Sequence, residues 1–297
     1  MKKINRRSFL YTGTVSMTGY AALSVAGIVS QGFSPANALI DKVKLGQTGL
    51  TVSRIALGTG TIGGNHQSNQ TRLGLANFVK MAHHAYDRGI HFFDTADSYG
   101  SYPFIKEVLK DLPREKVTLL GKMWTSNDPS TSEPVDKALD RFRSETGSDY
   151  FDIMLLHCMT TGKWQEEKKR YIDYFSLAKQ RGIIKAVGLS CHNYEALKIA
   201  ADDPWVDVIL ARINPFQSHM DGTPLQINAL LDRARSNGKG IVGMKIFGNG
   251  DKIKEDEREE SITFALRNTS IHCMTLGLES IAQVDDAVDR VMRIAKG

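Results

Sequence analysis

Eight short apolar runs, each followed by a stretch with helical periodicity, limit the folds that this sequence can adopt. Each run is almost continuously apolar, as strands buried on both faces are. The runs are residues 55–58, 91–94, 117–122, 152–157, 186–190, 208–213, 240–245 and 271–277. Eight strands alternating with helices predict the α/β class, and within it a single-domain (β/α)8 TIM barrel.

Glycines end several of the intervening helical patterns, as expected of helix C-termini. Such patterns stop at Gly89, Gly147, Gly182 and Gly238. The alternative architecture is an open doubly wound sheet, which usually carries G-x-G-x-x-G after its first strand. The stretch "GTGTIGGN" after the first run does not fit that motif, so we favour the barrel.

The first 38 residues predict a targeting segment rather than part of the fold. They start with basic residues, contain the pair Arg6-Arg7 within "NRRSFL", continue weakly apolar and end in "ANA". These features resemble a twin-arginine export signal. We therefore predict a signal peptide over 1–38, a mature domain over 39–297, the twin-arginine export machinery as a partner, and an exported, periplasmic location. An uncleaved signal that anchors the protein in the membrane is the alternative.

The net charge of +5 belongs largely to this leader. Residues 1–38 contain four basic side chains and no acidic one. The predicted mature domain is therefore close to neutral, and we predict no nucleic-acid partner.

Three widely spaced cysteines, Cys158, Cys191 and Cys273, form no C-x-x-C pair and no zinc-ligand spacing. We predict buried strand cysteines that behave as small apolar residues. A metal site formed by Cys158, Cys191, His157 and His192 is a weaker alternative, because neighbours in a strand point to opposite faces. We predict no metal.

Polar side chains gather where the predicted strands end. In a parallel barrel the active site lies at the carboxyl ends of the strands. In strand order these ends carry Gly58 and Thr59, Asp94 with Tyr99, Lys122, His157, Ser190, Asn214, Lys245 and Gly277. Any one of them also fits a structural role, such as a capping aspartate or a rim histidine. Several ionisable groups on successive buried strand ends are costly, however, and together they predict an active site.

The chemistry of this set follows from its charges. An ammonium at Lys122 beside Tyr99 favours the phenolate and is expected to lower the pKa of the tyrosine. Asp94 would keep the lysine charged and oriented, and His157 would hold the reacting oxygen. A tyrosine tuned in this way can donate or accept a proton near neutral pH.

Five segments of the predicted mature chain resemble the aldo-keto reductase family. They are "KLGQTGLTVSRIALGTG", "GIHFFDTADSYG", "DYFDIMLLHC", "RGIIKAVGLSCHN" and "GIVGMKIFG". The spacing of Asp94 and Tyr99, "GK" at Lys122 and "LLH" at His157 match the family tetrad in barrel order. The first segment also resembles the hairpin that covers the floor of such barrels.

This resemblance implies hydride transfer between NAD(P)H and the carbonyl carbon of a small aldehyde or ketone. Tyr99 would be the general acid in reduction, Lys122 its activator, Asp94 the partner of the lysine, and His157 the residue that orients the carbonyl. Ser190 matches the family serine that binds the carboxamide of the nicotinamide. The other implied cofactor-binding positions are Gly58, Thr59, Met244, Lys245, Gly277, Glu279 and Gln283.

The sequence departs from the family pattern on the cofactor side. The usual glutamine of strand six falls at Leu210, and the usual stacking aromatic of strand seven falls near Met244. Glu279 and Gln283 occupy the places where a lysine and an arginine commonly hold an adenosine 2′-phosphate. We therefore expect NAD(H) to bind at least as well as NADP(H). The departures also leave open a barrel that binds a cofactor or ligand, or senses it, without turnover.

Overall fold

The structure is a computed structural model and describes residues 39–296. The predicted signal peptide, residues 1–38, lies outside the described residues. The described chain begins with an antiparallel hairpin of two strands, β1 (Lys42–Lys44) and β2 (Thr51–Ser53). The hairpin and the barrel strand that follows it were both expected from the sequence, and both are present in the structure.

Eight parallel strands form a closed barrel, which confirms the predicted (β/α)8 fold. Neighbours in the barrel follow chain order, and the last strand closes the barrel against the first. The strands are β3 (Ile55–Gly58), β4 (Phe92–Asp94), β5 (Thr118–Trp124), β6 (Phe151–Met159), β7 (Ile184–Cys191), β8 (Val208–Arg212), β9 (Gly240–Met244) and β10 (Cys273–Gly277). Each coincides with a predicted run to within a residue or two at either end.

The helices lie between the strands and cover the outside of the barrel. They are α1 (Asn69–Arg72), α2 (Leu75–Asp87), α3 (Tyr102–Leu109), α4 (Val135–Thr146), α5 (Trp164–Glu167), α6 (Lys169–Gln180), α7 (Tyr194–Ala200), α8 (Pro224–Ser236), α9 (Glu255–Arg267) and α10 (Ile281–Lys296). Their buried side chains and the outward side chains of the strands form one large apolar cluster. Within residues 39–296, no helix combines the length and apolarity that a membrane crossing requires.

The barrel interior is filled by side chains and its floor is closed by the hairpin. Leu45 and Val52 of the hairpin region belong to the same buried cluster as inward residues of the strands, among them Phe92 and Leu155. The turn at Gly46 has a φ of +54°, and a Cβ there would lie 2.5 Å from the backbone nitrogen of Gly240. Glycine is therefore required where the hairpin meets the start of β9. With the floor sealed, the open end is the carboxyl end of the strands.

The three cysteines are free thiols. Cys191 and Cys273 are buried, as predicted, and burial raises the pKa of both thiols. Cys158 is only half-buried, and its φ of +65° places it at an irregularity in the pairing of β6 with β7. Its Sγ lies 3.2 Å from His192 Nδ1.

Candidate active site

The four residues predicted as catalytic lie together at the carboxyl end of the barrel. Asp94 ends β4, Lys122 lies in β5 and His157 in β6. Tyr99 ends a short 3₁₀ turn, Asp97–Tyr99, that follows β4. Lys122 Nζ donates to Asp94 Oδ1, and the Tyr99 hydroxyl lies 3.3 Å from His157 Nε2. The arrangement therefore links a carboxylate, an ammonium, a phenol and an imidazole.

Asp94 and Lys122 form a buried ion pair, with 5% and 1% of their surfaces exposed. Lys122 Nζ also donates to the carbonyl oxygen of Thr95 at 2.8 Å, and Thr275 Oγ1 donates to Asp94 Oδ2 at 2.8 Å. Such additional hydrogen bonds offset the cost of removing both charges from water. Burial lowers the pKa of Lys122, but Asp94 and Tyr99 raise it by more, so the lysine stays an ammonium.

Tyr99 is partly buried at the open end of the barrel. Its ring centroid lies 4.8 Å from Lys122 Nζ, and the backbone of the loop after β3 covers the ring. A Cβ at Gly60 would lie 2.2 Å from a ring carbon of Tyr99, and one at Gly63 would lie 2.6 Å from another. Both glycines therefore allow the loop to pack directly against the aromatic face.

Burial raises the pKa of Tyr99 above its ordinary value, although the charge of Lys122 pulls it down. Lys122 lowers this pKa as expected, but desolvation of the phenolate outweighs the ammonium, so the net shift is upward and not downward. Tyr99 is therefore a protonated phenol throughout the neutral pH range. That state suits a residue that gives a proton to a developing alkoxide.

His157 is neutral because burial, and then the charge of Lys122, hold its pKa well below the usual range. Its ring contacts the Tyr99 ring edge to face, with centroids 5.4 Å apart. The Trp124 ring also packs edge to face against the His157 ring, with centroids 5.5 Å apart, and Trp124 is 59% exposed. A neutral imidazole at the mouth of the site can hydrogen-bond a carbonyl oxygen without adding charge.

Three of the predicted cofactor-binding residues, Ser190, Met244 and Lys245, lie at the ends of β7 and β9. Ser190 Oγ accepts a hydrogen bond from the backbone nitrogen of Cys158 at 2.7 Å, so its own hydrogen remains available for a carboxamide oxygen. Met244 packs in the barrel interior, and Lys245 Nζ donates to Asn249 Oδ1 at 2.9 Å. These donors fit the amide and phosphate groups of a nicotinamide cofactor.

Arg212, which was not among the predicted site residues, ends β8 in this region. It donates to His192 Nδ1 and lies 3.2 Å from Asp221, while its Nε is buried without a hydrogen-bond partner among the described residues. Leu210, assigned to the family glutamine, packs in the barrel interior instead. The sequence did contain a signal for Arg212, because the apolar run "VILAR" ends in this arginine.

The same arginine bears on the metal alternative. Because Arg212 is always a cation and donates to His192 Nδ1, that nitrogen cannot also be protonated or bind a metal ion. Burial and Arg212 accordingly lower the pKa of His192 to about 3. Within residues 39–296, no group of three histidine, cysteine, aspartate or glutamate side chains is arranged to hold a metal ion.

Three other predicted cofactor positions have packing partners inside the protein. Thr59 Oγ1 donates to the backbone oxygen of Asp94 at 3.0 Å. A Cβ at Gly58 would lie 2.8 Å from Thr275 Oγ1, and one at Gly277 would lie 1.9 Å from Thr61 Oγ1. These residues permit close packing of the strand ends, and their contact with a cofactor stays a prediction.

Glu279 and Gln283 lie beyond the end of β10. Asn69 Nδ2 donates to Glu279 Oε1 at 2.9 Å, and Gln283 Oε1 accepts from the backbone nitrogen of Glu279 at 2.7 Å. Arg72 donates to Asn69 Oδ1 at 3.0 Å, so a guanidinium lies within two hydrogen bonds of Glu279. Arg72 was not predictable as a neighbour of Glu279, because residues 69–72 are far from Glu279 in the chain.

The sequence and the fold of this chain resemble those of known proteins. Residues 54–295 match the model of the Aldo/keto reductase family. The chain is 27% identical over 218 residues to the NADH-specific methylglyoxal reductase of Escherichia coli (strain K12), covering 66% of this chain and 64% of that protein. It therefore spans less than two thirds of the length of that relative.

Two further proteins extend the comparison. L-galactose dehydrogenase of Arabidopsis thaliana is 23% identical over 288 residues, which cover 84% of this chain and 88% of that protein. The holo form of aldo-keto reductase AKR11C1 from Bacillus halodurans has the same fold, with a TM-score of 0.66 at 18% identity over 86% of this chain and 94% of that one. The chain belongs to the aldo/keto reductase family.

Proposed function

We propose that this protein is an oxidoreductase that reduces a small aldehyde or ketone to an alcohol, or catalyses the reverse reaction, with a nicotinamide cofactor. The observation that carries the proposal is the buried Asp94–Lys122 pair beside a protonated Tyr99, whose hydroxyl lies next to a neutral His157. Two named relatives, a methylglyoxal reductase and a galactose dehydrogenase, support this reaction class.

Each side chain has a role that follows from its surroundings. His157 orients the carbonyl oxygen, and Tyr99 donates its proton to that oxygen as negative charge develops. Lys122 stabilises the phenolate that remains, and Asp94 holds the ammonium in place. The cofactor, when bound, supplies or accepts the hydride. Ser190 and Arg212 would hold its amide end, while Lys245 would approach its phosphates.

Turnover separates this proposal from a barrel that only binds or senses a ligand. We expect the purified protein to consume reduced nicotinamide cofactor when small aldehydes are added, and to show no consumption without them. Tight cofactor binding with no consumption across a panel of aliphatic, aromatic and dicarbonyl compounds would favour the binding barrel instead.

We also propose that NAD(H) binds at least as tightly as NADP(H). Glu279 would repel a 2′-phosphate and could accept a hydrogen bond from a free 2′-hydroxyl. Arg290 and Arg293 on α10 are both engaged by Glu259, at 2.8 Å and 2.6 Å, which leaves them poorly placed to bind a phosphate.

Titration of both reduced cofactors into cofactor-free protein tests this preference. We expect Glu279→Arg to shift the ratio of dissociation constants towards NADPH by about tenfold, because a repulsion becomes an attraction. Arg72→Gln is the matched control, since Arg72 is the nearby cation that could hold a 2′-phosphate. A wild-type preference of tenfold for NADPH that disappears in Arg72→Gln would contradict the role given to Glu279.

The proposed site of action is outside the cytoplasm. The support is the sequence of residues 1–38, with its paired arginines, weakly apolar centre and small-x-small end. Twin-arginine export carries folded proteins, so the cofactor would be bound before export and retained afterwards. This scheme requires slow release of the cofactor.

Replacing Arg6 and Arg7 by lysines should trap the full-length precursor in the cytoplasm, because the export signal is read through the arginine pair. Cell fractionation of the tagged protein measures this, and N-terminal sequencing of the exported form locates the cleavage. Normal export of the double-lysine variant would refute the twin-arginine signal. A mature N-terminus far from Leu39 would refute the predicted cleavage after residue 38.

A further inference from the structure

The 3₁₀ turn that carries Tyr99 presents two hydroxyl groups to His157, one at each ring nitrogen. The Tyr99 hydroxyl lies 3.3 Å from Nε2, and Ser98 Oγ lies 3.4 Å from Nδ1. Two consecutive residues of one turn therefore contact the two nitrogens of the imidazole. The Tyr99 hydroxyl is the proposed proton donor, whereas the reaction proposed above gives no role to the contact of Ser98 with Nδ1.

The position of the single imidazole proton decides what His157 can do. A neutral ring carries its hydrogen on only one nitrogen, and the other nitrogen accepts. If Nε2 were the acceptor, it would take the hydrogen bond of the Tyr99 hydroxyl and compete with the substrate for that proton. If Nε2 carries the hydrogen, it can donate to a carbonyl oxygen and leaves the Tyr99 proton free for transfer.

The charge of Lys122 disfavours a hydrogen on Nε2, the tautomer in which His157 can donate to a carbonyl oxygen. It lowers the pKa of His157, and its Nζ lies 4.8 Å from the centroid of the Tyr99 ring, whose hydroxyl faces Nε2. A nearby cation favours a lone pair facing it, and so disfavours a hydrogen on Nε2. A donor at the opposite nitrogen, Nδ1, would favour the hydrogen on Nε2.

We propose that Ser98 is a positioning residue that donates its hydroxyl hydrogen to His157 Nδ1 and thereby holds His157 with its own hydrogen on Nε2. The inference rests on the proposed reductase function, which gives that hydrogen its purpose. Partners at the second ring nitrogen commonly fix histidine tautomers in this way.

The surroundings of the turn hold Ser98 in place. Arg141 of α4 binds both carboxylate oxygens of Asp97, at 2.9 Å and 3.1 Å. From the other side, the backbone nitrogen of His66 donates to the carbonyl oxygen of Ser98 at 2.9 Å. Gly100 ends the turn with a φ of +65°, and a Cβ there would lie 2.0 Å from the His66 carbonyl oxygen. The turn is therefore fixed on both sides independently of His157.

Nitrogen-15 NMR of histidine-labelled, cofactor-free protein measures the tautomer directly, with His157→Gln used to assign the signal. We expect the wild-type His157 signal to show hydrogen on Nε2, Ser98→Ala to lose that preference, and Ser98→Thr to keep it. In turnover, Ser98→Ala should lose up to about tenfold in kcat, as expected for one neutral hydrogen bond, with an unchanged dissociation constant for the cofactor. Ser98→Thr should restore kcat.

Several results would overturn the inference. They are hydrogen on Nδ1 in the wild type, an Ala variant equal to wild type in tautomer and kcat, or a Thr variant as impaired as the Ala variant. A protein without turnover that still shows a Ser98-dependent hydrogen on Nε2 would contradict the proposed function and support the tautomer assignment.

Discussion

Tyr99→Phe is expected to lower the rate of carbonyl reduction by about 10²–10⁴-fold and to leave the dissociation constant of the reduced cofactor largely unchanged. The reason is local. The substitution removes the hydroxyl next to His157 and keeps the ring that packs under Gly60 and Gly63. Steady-state rates and a cofactor titration on the same preparation measure the two quantities. A variant that keeps more than about a tenth of the wild-type rate would show that Tyr99 is not the acid.

The pH profile gives a second readout for the same residue. Because burial raises the pKa of Tyr99 above its ordinary value of about 10, the phenol stays protonated as pH rises through neutrality. The rate of reduction limited by this acid should therefore stay level and fall only above about pH 10. A loss of rate centred near neutral pH would point to a different acid.

Lys122→Met should lower the rate by about 10²-fold or more, and most strongly in alcohol oxidation, where Tyr99 must act as a phenolate base. The ammonium lowers the pKa of the phenol, while burial and Asp94 both raise it. Removing the ammonium therefore raises this pKa further and shifts the oxidation profile to higher pH. Rates of oxidation measured across the alkaline range test the shift, and an unchanged profile in a measurably active variant would contradict the role of Lys122.

The single substitution also leaves Asp94 buried without its cation. Removing one member of a buried pair typically costs about 3–5 kcal/mol of stability. The double variant Asp94→Asn with Lys122→Met is the matched control, because it removes both charges. We expect thermal unfolding to show that the double variant regains stability over the single one, while its activity stays low. Regained activity would mean that the single variant failed by unfolding alone.

Much of the fold was predictable because its signal is local and repeated. Continuous apolar runs such as 152–157 have few solutions other than buried parallel strands, and a closed barrel puts their carboxyl ends together. The placement of Asp94, Lys122 and His157 at one end of the barrel followed directly. The strand limits differed by a residue or two, since they depend on hydrogen bonding that composition does not determine.

The properties that were missed depend on burial and on contacts distant in sequence. The charges around Tyr99 were visible in the sequence, but the desolvation that reverses the direction of its pKa shift depends on the loop packed over its ring. Arg212 was missed because the family glutamine was assigned two residues earlier. The contact of Ser98 with His157 depends on the conformation of one turn. The hydrogen bonds from Arg72 to Asn69 and from Asn69 to Glu279 connect residues that lie about two hundred positions apart in the sequence.

Transfer of deuterium tests the central claim most directly. Reduced cofactor carrying deuterium at the hydride position of the nicotinamide C4 is mixed with the protein and an accepted aldehyde, and the alcohol is analysed by mass spectrometry and NMR. The proposed function predicts one deuterium on the carbinol carbon in the wild type, and at least about a hundredfold less deuterated product from Tyr99→Phe in the same time. An alcohol formed without deuterium, or a cofactor that binds and is never oxidised by any carbonyl compound, would contradict it.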